Sequence, residues 1–329
     1  MPDLAILDVG HGNCAVLHGK AGTVVIDAAP GETLLEFLEQ RGIVRIAAVL
    51  ISHADQDHMA GAITLLTQPW ITVDAVHLNS EPLREGTLWT AFRVALHDAR
   101  TRTATNIQVQ LTTATSIELP GDDVRLEVLH PTPEVAASGA GGQDLKGRRL
   151  TPNSMSAVIR VVHQGRPRAL FAGDLDSVGL DNLLDEVATP EAEMLIFPHH
   201  GGRPGQGDPR AFAARFCAAV KPSVVFFSLG RGKHGTPLPQ VVEGVRVSVP
   251  KSHIACTQLS QRCAATLPSQ VPSHLGNRPA RGRAANACCI GSVVVGLERA
   301  SGGYAPSLKA HRAFVNKSAP TALCEGRAG

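Results

Sequence analysis

Short apolar runs separated by glycine-rich breaks open the chain, and residues 4–9, 14–18 and 23–27 read as three strands of a meander. Leu34, Leu35 and Leu38 then recur at helical spacing within residues 31–41. The β-branched run 46–51 predicts a strand ending at Ser52, and Met59, Ile63 and Leu66 predict a helix closed by Pro69. A strand over 71–78 and a helix over 83–100 complete the round. A second round has strands over 107–111, 116–119, 124–129, 155–162 and 169–172, with a Gly/Ala/Ser-rich loop over 132–150 that we expect to be mobile. It continues with a helix over 178–187, a strand over 194–197, a helix over 209–220 and a strand over 224–229. Two rounds of strands then helices predict an α/β sandwich whose strand-end loops carry function.

Composition narrows this picture. Hydrophobic residues make up 43% of the 329 and aromatics only 4%, so the core rests on Val, Leu, Ile and Ala. No run approaches the 18 apolar residues of a membrane span, and the first residues lack a basic region followed by an apolar one. Seven cysteines without an export signal fit a reducing compartment, so we expect a cytoplasmic protein without a membrane partner. The net charge of +2 conceals a division. Residues 1–244 carry 20 Lys and Arg against 27 Asp and Glu; residues 245–329 carry 11 against two, Glu298 and Glu325. A basic extension on an acidic body suits a polyanionic partner; a solvated tail is the plainer alternative.

The densest chemistry lies at residues 52–61, S-H-A-D-Q-D-H-M-A-G, directly after a predicted strand. His53, Asp55, Asp57 and His58 are four potential ligands within six residues, and their mixture of imidazole and carboxylate suits zinc or manganese. Alternate loop residues point to opposite sides, so His53 and Asp55 can serve one ion while Asp57 and His58 serve another. A polar turn with a helix N-cap is the alternative.

The pattern H-x-D-x-D-H-x-x-G resembles the metallo-β-lactamase fold, and Asp in place of the second His resembles its ComEC-type branch. Five further segments agree in order: Leu7-Asp8-Val9-Gly10-His11-Gly12-Asn13, Val25-Ile26-Asp27, Val128-Leu129-His130-Pro131 with Asn153-Ser154, Leu170-Phe171-Ala172-Gly173-Asp174, and Phe197-Pro198-His199-His200-Gly201. The resemblance covers about residues 4–244. It implies an αβ/βα four-layer sandwich in which Asp174 bridges two divalent ions. It also implies that the His199–His200 pair supplies a ligand, with His200 favoured, to the ion held by His53 and Asp55. Asp55, Asp57 and Asp174 are the expected catalytic carboxylates. Where the family usually has a final His, this chain has Thr236, and His234 two residues earlier is expected to substitute. His11, Asn153 and Ser154 are expected to contact substrate or a ligand.

Beyond residue 244 we expect a separate basic extension, 245–329. Cys256, Cys263, His274, Cys288 and Cys289 offer enough soft ligands for an additional structural zinc, although no C-x2-C pair occurs; buried free thiols are the alternative. Arg278, Arg281 and Arg283 lie in a Gly/Pro/Ala context expected to form a flexible arm gripping phosphates. The apolar run 290–297 predicts a final strand, and residues 301–329 a loosely held terminus.

These readings lead us to expect a phosphodiesterase or nuclease acting on nucleic acid, DNA foremost, through a water activated by two metals. DNA processing or defence against phage would be its setting, and a protein regulator is conceivable. A small-molecule phosphoesterase (cyclic nucleotide or phosphocholine-type) and a regulatory nucleic-acid-binding module with a degenerate site are the alternatives.

Overall fold

The computed structural model describes residues 1–81, 84–187, 189–232, 234–298 and 305–325. The first round comprises β1 (Asp3–Ile6), β2 (Cys14–Gly19), β3 (Gly22–Ala28), α1 (Thr33–Gln40), β4 (Arg45–Ile46), β5 (Ala48–Ile51), α2 (Gln56–Thr67), β6 (Thr72–Val73), β7 (Ala75–Leu78), α3 (Thr87–Thr103) and β8 (Asn106–Gln108). The second comprises β9 (Ser116–Leu119), β10 (Val124–His130), α4 (Pro133–Ser138), β11 (Val158–His163), β12 (Arg166–Phe171), α5 (Ser177–Glu186), β13 (Met194–Ile196), α6 (Pro209–Val220), β14 (Val224–Phe227), α7 (Pro239–Ser248) and β15 (His253–Cys256). β16 (Val293–Gly296) and α8 (Ala305–Ser318) follow.

Two seven-stranded sheets result, ordered β16-β1-β2-β3-β5-β7-β8 and β15-β14-β13-β12-β11-β10-β9. In each, antiparallel strands give way to a parallel run, β3-β5-β7-β8 and β12-β13-β14-β15. Strand side chains alternate between faces, and here both faces are apolar. Leu4, Ile6, Val24, Ile26 and Leu50 enter the layer between the sheets, where they meet Ala169, Phe171, Met194, Ile196 and Phe226. Their neighbours Ala5, Val25, Val49 and Ile51 pack outward with Leu38 of α1, Leu65 of α2 and Phe92 of α3. On the opposite side Leu170, Leu195, Val225 and Phe227 pack with Leu180 of α5, Phe216 of α6 and Val245 of α7. The αβ/βα four-layer sandwich is therefore the architecture. Helix starts follow local chemistry: Asp208 accepts from Ala211 N at 2.7 Å ahead of Pro209, and Asp176 accepts from Gly179 N at 2.9 Å. Among the described residues no helix is long and apolar enough to cross a membrane.

Several expectations change. The 132–150 segment is pinned, since Val135 and Leu150 bury against Met155 and the buried Asp144 binds Arg148 and Asn182. The boundary after residue 244 falls inside α7, and later residues supply an edge strand to each sheet, β15 and β16. Part of the 301–329 terminus is α8, whose His311 and Val315 are buried; residues 301–304 and 326–329 lie outside the described residues. Nor do the three arginines form a free arm. Arg278 and Arg283 donate to backbone carbonyls of their own segment, and Arg281 Nη1 reaches Pro30 O at 3.0 Å. Carbonyl partners hold these guanidiniums to the body while leaving their charge intact. The five expected zinc ligands do not meet as one set. Cys288 Sγ donates to Asp8 Oδ2, and His274 Nε2 donates to Cys289 O.

Asp8 is fully buried, and it clasps the C-terminal segment to the first sheet. Its carboxylate accepts from Gly10 N and Gln258 Nε2 on one oxygen and from Gly282 N and Cys288 Sγ on the other. Bonds to a charged acceptor contribute most when buried, so Asp8→Ala should lower stability by about 3 kcal/mol or more. Denaturant unfolding followed by circular dichroism checks this, and a loss near zero would refute the role assigned to Asp8.

Candidate metal centre

The candidate ligands sit beyond the carboxyl ends of parallel strands from both sheets, in the crevice where open α/β sheets carry their sites. After β5 the chain turns through Ser52 and His53 into α2, whose N-cap is Asp55 and whose first turn holds Asp57 and His58. Gly61 lets α2 approach the loop after β3, because a Cβ there would stand 2.2 Å from Ala29 O. Asp174 follows β12 after Gly173, which has φ +48° and whose absent Cβ would strike Ser156 Oγ and Ser52 Oγ. Past β13, His199 and His200 adopt left-handed φ values of 52° and 54°, which turn successive rings in different directions.

Two ligand groups meet at Asp174. Asp57, His58, Asp174 and His200 form one; His53, Asp55 and Asp174 form the other; within each, one ligand atom per residue lies within 4.8 Å of the rest. His200 therefore stands with Asp57 and His58, a correction to the expectation that it would join His53 and Asp55. The reason is its anchor: His200 Nδ1 donates to Ser228 O at 2.6 Å, which aims Nε2 at Asp57 Oδ2, 3.1 Å away. His199 lies in neither group, and its Nδ1 accepts from Asn153 Nδ2 at 3.3 Å. Ser154 is fully buried, donating to Asp176 Oδ2, so it braces the turn carrying Asn153 and is shielded from substrate. His234 also lies outside both groups; its ring stacks on His11 with centroids 4.5 Å apart. Its loop ends two residues on at the buried Thr236, which keeps His234 at the exposed rim. His11 itself reaches the cluster, with Nε2 3.2 Å from Asp57 Oδ2.

Hydrogen bonding fixes the tautomers, and the tautomers expose the need for cations. Asp27, buried and also left-handed at φ 54°, accepts from Ser52 N at 2.7 Å, Ser52 Oγ at 2.9 Å and His58 Nδ1 at 2.8 Å. With its proton given to Asp27, Ser52 Oγ accepts from His53 Nδ1 at 3.1 Å. The Nε2 atoms of these rings then face carboxylate oxygens: His58 to Asp174 Oδ1 at 3.0 Å and His53 to Asp55 Oδ2 at 3.4 Å. His53 Nε2, His58 Nε2 and Asp174 Oδ1 are buried without a properly aligned hydrogen bond. Opposed lone pairs in a buried site require a proton or a cation between them. Burial opposes ionisation of Asp57 and Asp174, yet the surrounding imidazoles outweigh it and hold both carboxyls well below the usual range. His58 is driven the other way, raised well above the ordinary value against its burial by Asp174 and Asp27. Burial, then the charge of His200, lowers His11 to about 4, so it is neutral near pH 7. The donor set fits divalent ions.

Several residues at the centre had escaped sequence reasoning. Asp27 stood within the matching Val25-Ile26-Asp27 segment but was given no role at the centre. Ser52, Ser156 and Ser228 carried no signal, and neither did Glu81 and Arg84. Glu81 Oε1 accepts from Ala54 N and Oε2 from Arg84 Nε, while Arg84 Nη2 binds Asp55 Oδ1. Beside them opens a cavity of about 370 Å³ lined by Arg84, Arg149, Leu150 and Pro152. Partners that orient an imidazole ligand typically govern affinity by about 10–100-fold. Asp27→Asn should weaken zinc or manganese binding by about that factor in competition dialysis, and undiminished affinity would remove Asp27 from the centre.

Residues 7–228 match the family model of the metallo-beta-lactamase superfamily. ComE operon protein 3 of Bacillus subtilis (strain 168) is 22% identical over 252 residues, which is 70% of this chain and 28% of that protein. The chain thus spans little more than a quarter of that relative's length. Among solved structures, the metallo-beta-lactamase fold protein YhfI from Bacillus subtilis aligns over 78% of this chain and 97% of its own, with 10% identity and a TM-score of 0.47. Igni18, a metallo hydrolase from Ignicoccus hospitalis KIN4/I, aligns over 77% and 94%, with 12% identity and a TM-score of 0.45. With the family model matched across both rounds of the sandwich and the ligand groups lying where those rounds meet, the chain belongs to the metallo-beta-lactamase superfamily of metal-dependent hydrolases.

Proposed function

We propose that this protein is a phosphodiesterase of the ComEC-type branch that cleaves nucleic acid, DNA foremost, using two zinc or manganese ions. The observation that carries the reading is the pair of ligand groups sharing the Asp174 carboxylate, with one oxygen buried and unpartnered. Divalent ions held by such groups polarise a phosphoryl oxygen and make water acidic enough to serve as nucleophile near neutral pH. The chain's own residues set the rest. Asp27 and Ser228 keep His58 and His200 in the tautomers that present Nε2. Neutral His11 stands against Asp57, and His199, whose Nδ1 accepts from Asn153, is left with Nε2–H to donate to a phosphoryl oxygen. Arg84 and Arg149 flank the adjoining cavity, and Arg149 makes no ion pair among the described residues, so it is available to a neighbouring phosphate. A further support is the similarity to ComE operon protein 3. The cavity volume of about 370 Å³ favours a second reading, a small phosphoester, because it lies in the range of small-ligand sites.

Incubation of the manganese- or zinc-loaded protein with single-stranded, duplex and plasmid DNA, RNA and bis(p-nitrophenyl) phosphate separates these readings. Cleavage of nucleic acid is expected; hydrolysis of the generic ester alone would leave the small-molecule reading. No cleavage, with less than one ion per chain, would leave a degenerate module. Asp174→Ala should reduce turnover by about 10³-fold or more, since it removes a ligand from both groups. Arg149→Glu should raise KM for DNA several-fold while sparing the generic ester, and equal effects on both substrates would remove Arg149 from phosphate recognition.

A further inference from the structure

Outside the two ligand groups, four free cysteines converge from the C-terminal region. Cys256 ends β15, Cys263 and Cys289 lie in the irregular chain between β15 and β16, and Cys324 follows α8. All four are buried, and with Val242, Ile254 and Leu259 they line one small cavity of about 10 Å³. That volume is at the lower limit for a single water molecule and far below any organic ligand, so the space suits one ion. Each thiol lies within electrostatic range of the other three, and burial followed by that mutual repulsion pushes Cys256 and Cys289 well above the ordinary thiol value.

The surroundings fit a thiolate cluster. Arg231 stands near Cys263, and Arg246 stands near Cys324, with Nη2 on Cys324 O and Nε buried without a partner. Both guanidiniums can offset the negative charge that four thiolates around a divalent ion would carry. His311 is buried, with Nε2 3.1 Å from Cys289 Sγ, and accepts a hydrogen bond from that sulfur. Local architecture supplies the motive. Between β15 and β16 the only regular element among the described residues is one short turn, Ser273–Leu275, although the stretch is packed against both sheets. Long irregular segments inside compact domains require a staple.

We propose that Cys256, Cys263, Cys289 and Cys324 form a structural zinc site that ties the C-terminal segments to the second sheet. The ligand set differs from the one suggested by the sequence, because Cys288 is committed to Asp8 and His274 to a carbonyl, while Cys324 takes a place. The sulfurs stand more openly than the active-site ligands, since the groups closed to within 4.8 Å among the described residues are the two at Asp174. Zinc would draw them inward and release four thiol protons to solvent.

The test uses the full chain, and the same chain with His58, Asp174 and His200 replaced by Ala, which takes ligands from both groups at Asp174. Plasma mass spectrometry after dialysis should find about one zinc per Ala-substituted chain, and cobalt substitution should give a thiolate-to-cobalt charge-transfer band. Adding Cys289→Ser should abolish both signals, whereas Cys288→Ser should keep them. Absence of the cobalt charge-transfer band in the unsubstituted chain, whose two ligand groups at Asp174 contain no sulfur, overturns the proposal. So does loss of the ion in a folded Cys288→Ser protein.

Discussion

The Asp27 carboxylate is the constraint on which the centre depends. It lies buried at the end of β3, in a left-handed conformation that Asp tolerates better than most residues, and it accepts three hydrogen bonds. One fixes the backbone at Ser52, one consumes the Ser52 hydroxyl proton, and one fixes the His58 tautomer. Because Ser52 has given its proton away, it can only accept from His53. A single buried acid thereby orients an imidazole in each ligand group. Isolated, such a charge would be costly; here every oxygen is satisfied, and the remaining lone pairs point to where cations belong.

The second half of the sandwich supplies what the first lacks. Asp174, His200 and the Ser228 carbonyl arrive from β12, β13 and β14, so the centre exists only when both sheets are docked. The C-terminal segment contributes to that docking. β16 closes the edge beside β1, β15 closes the edge beside β14, and Asp8 joins the irregular stretch between them to the opening strand. Its basic side chains are consequently displayed on a fixed surface, where they keep their charge while their geometry is set by backbone carbonyls.

Much of this was legible in the chain itself, for a physical reason. Alternating apolar positions report strands and their faces, and liganding residues crowded within six positions of one turn must be close in space whatever the fold. His53, Asp55, Asp57 and His58 needed no tertiary information to be grouped. The ordered motifs extended that grouping to Asp174 and His200. What stayed hidden depends on long-range approach. Which group His200 joins is decided by Ser228, 28 residues on, and by left-handed dihedrals that no pattern announces. The bonds between Asp27 and Ser52 exist only once β3 and β5 pair in parallel. Cys288 is kept from the other cysteines because Asp8, 280 positions away, claims its sulfur. Local periodicity and ligand density are properties of the sequence; tautomer, ligand partition and the fate of the basic segment are decided only where distant strands bring their ends together.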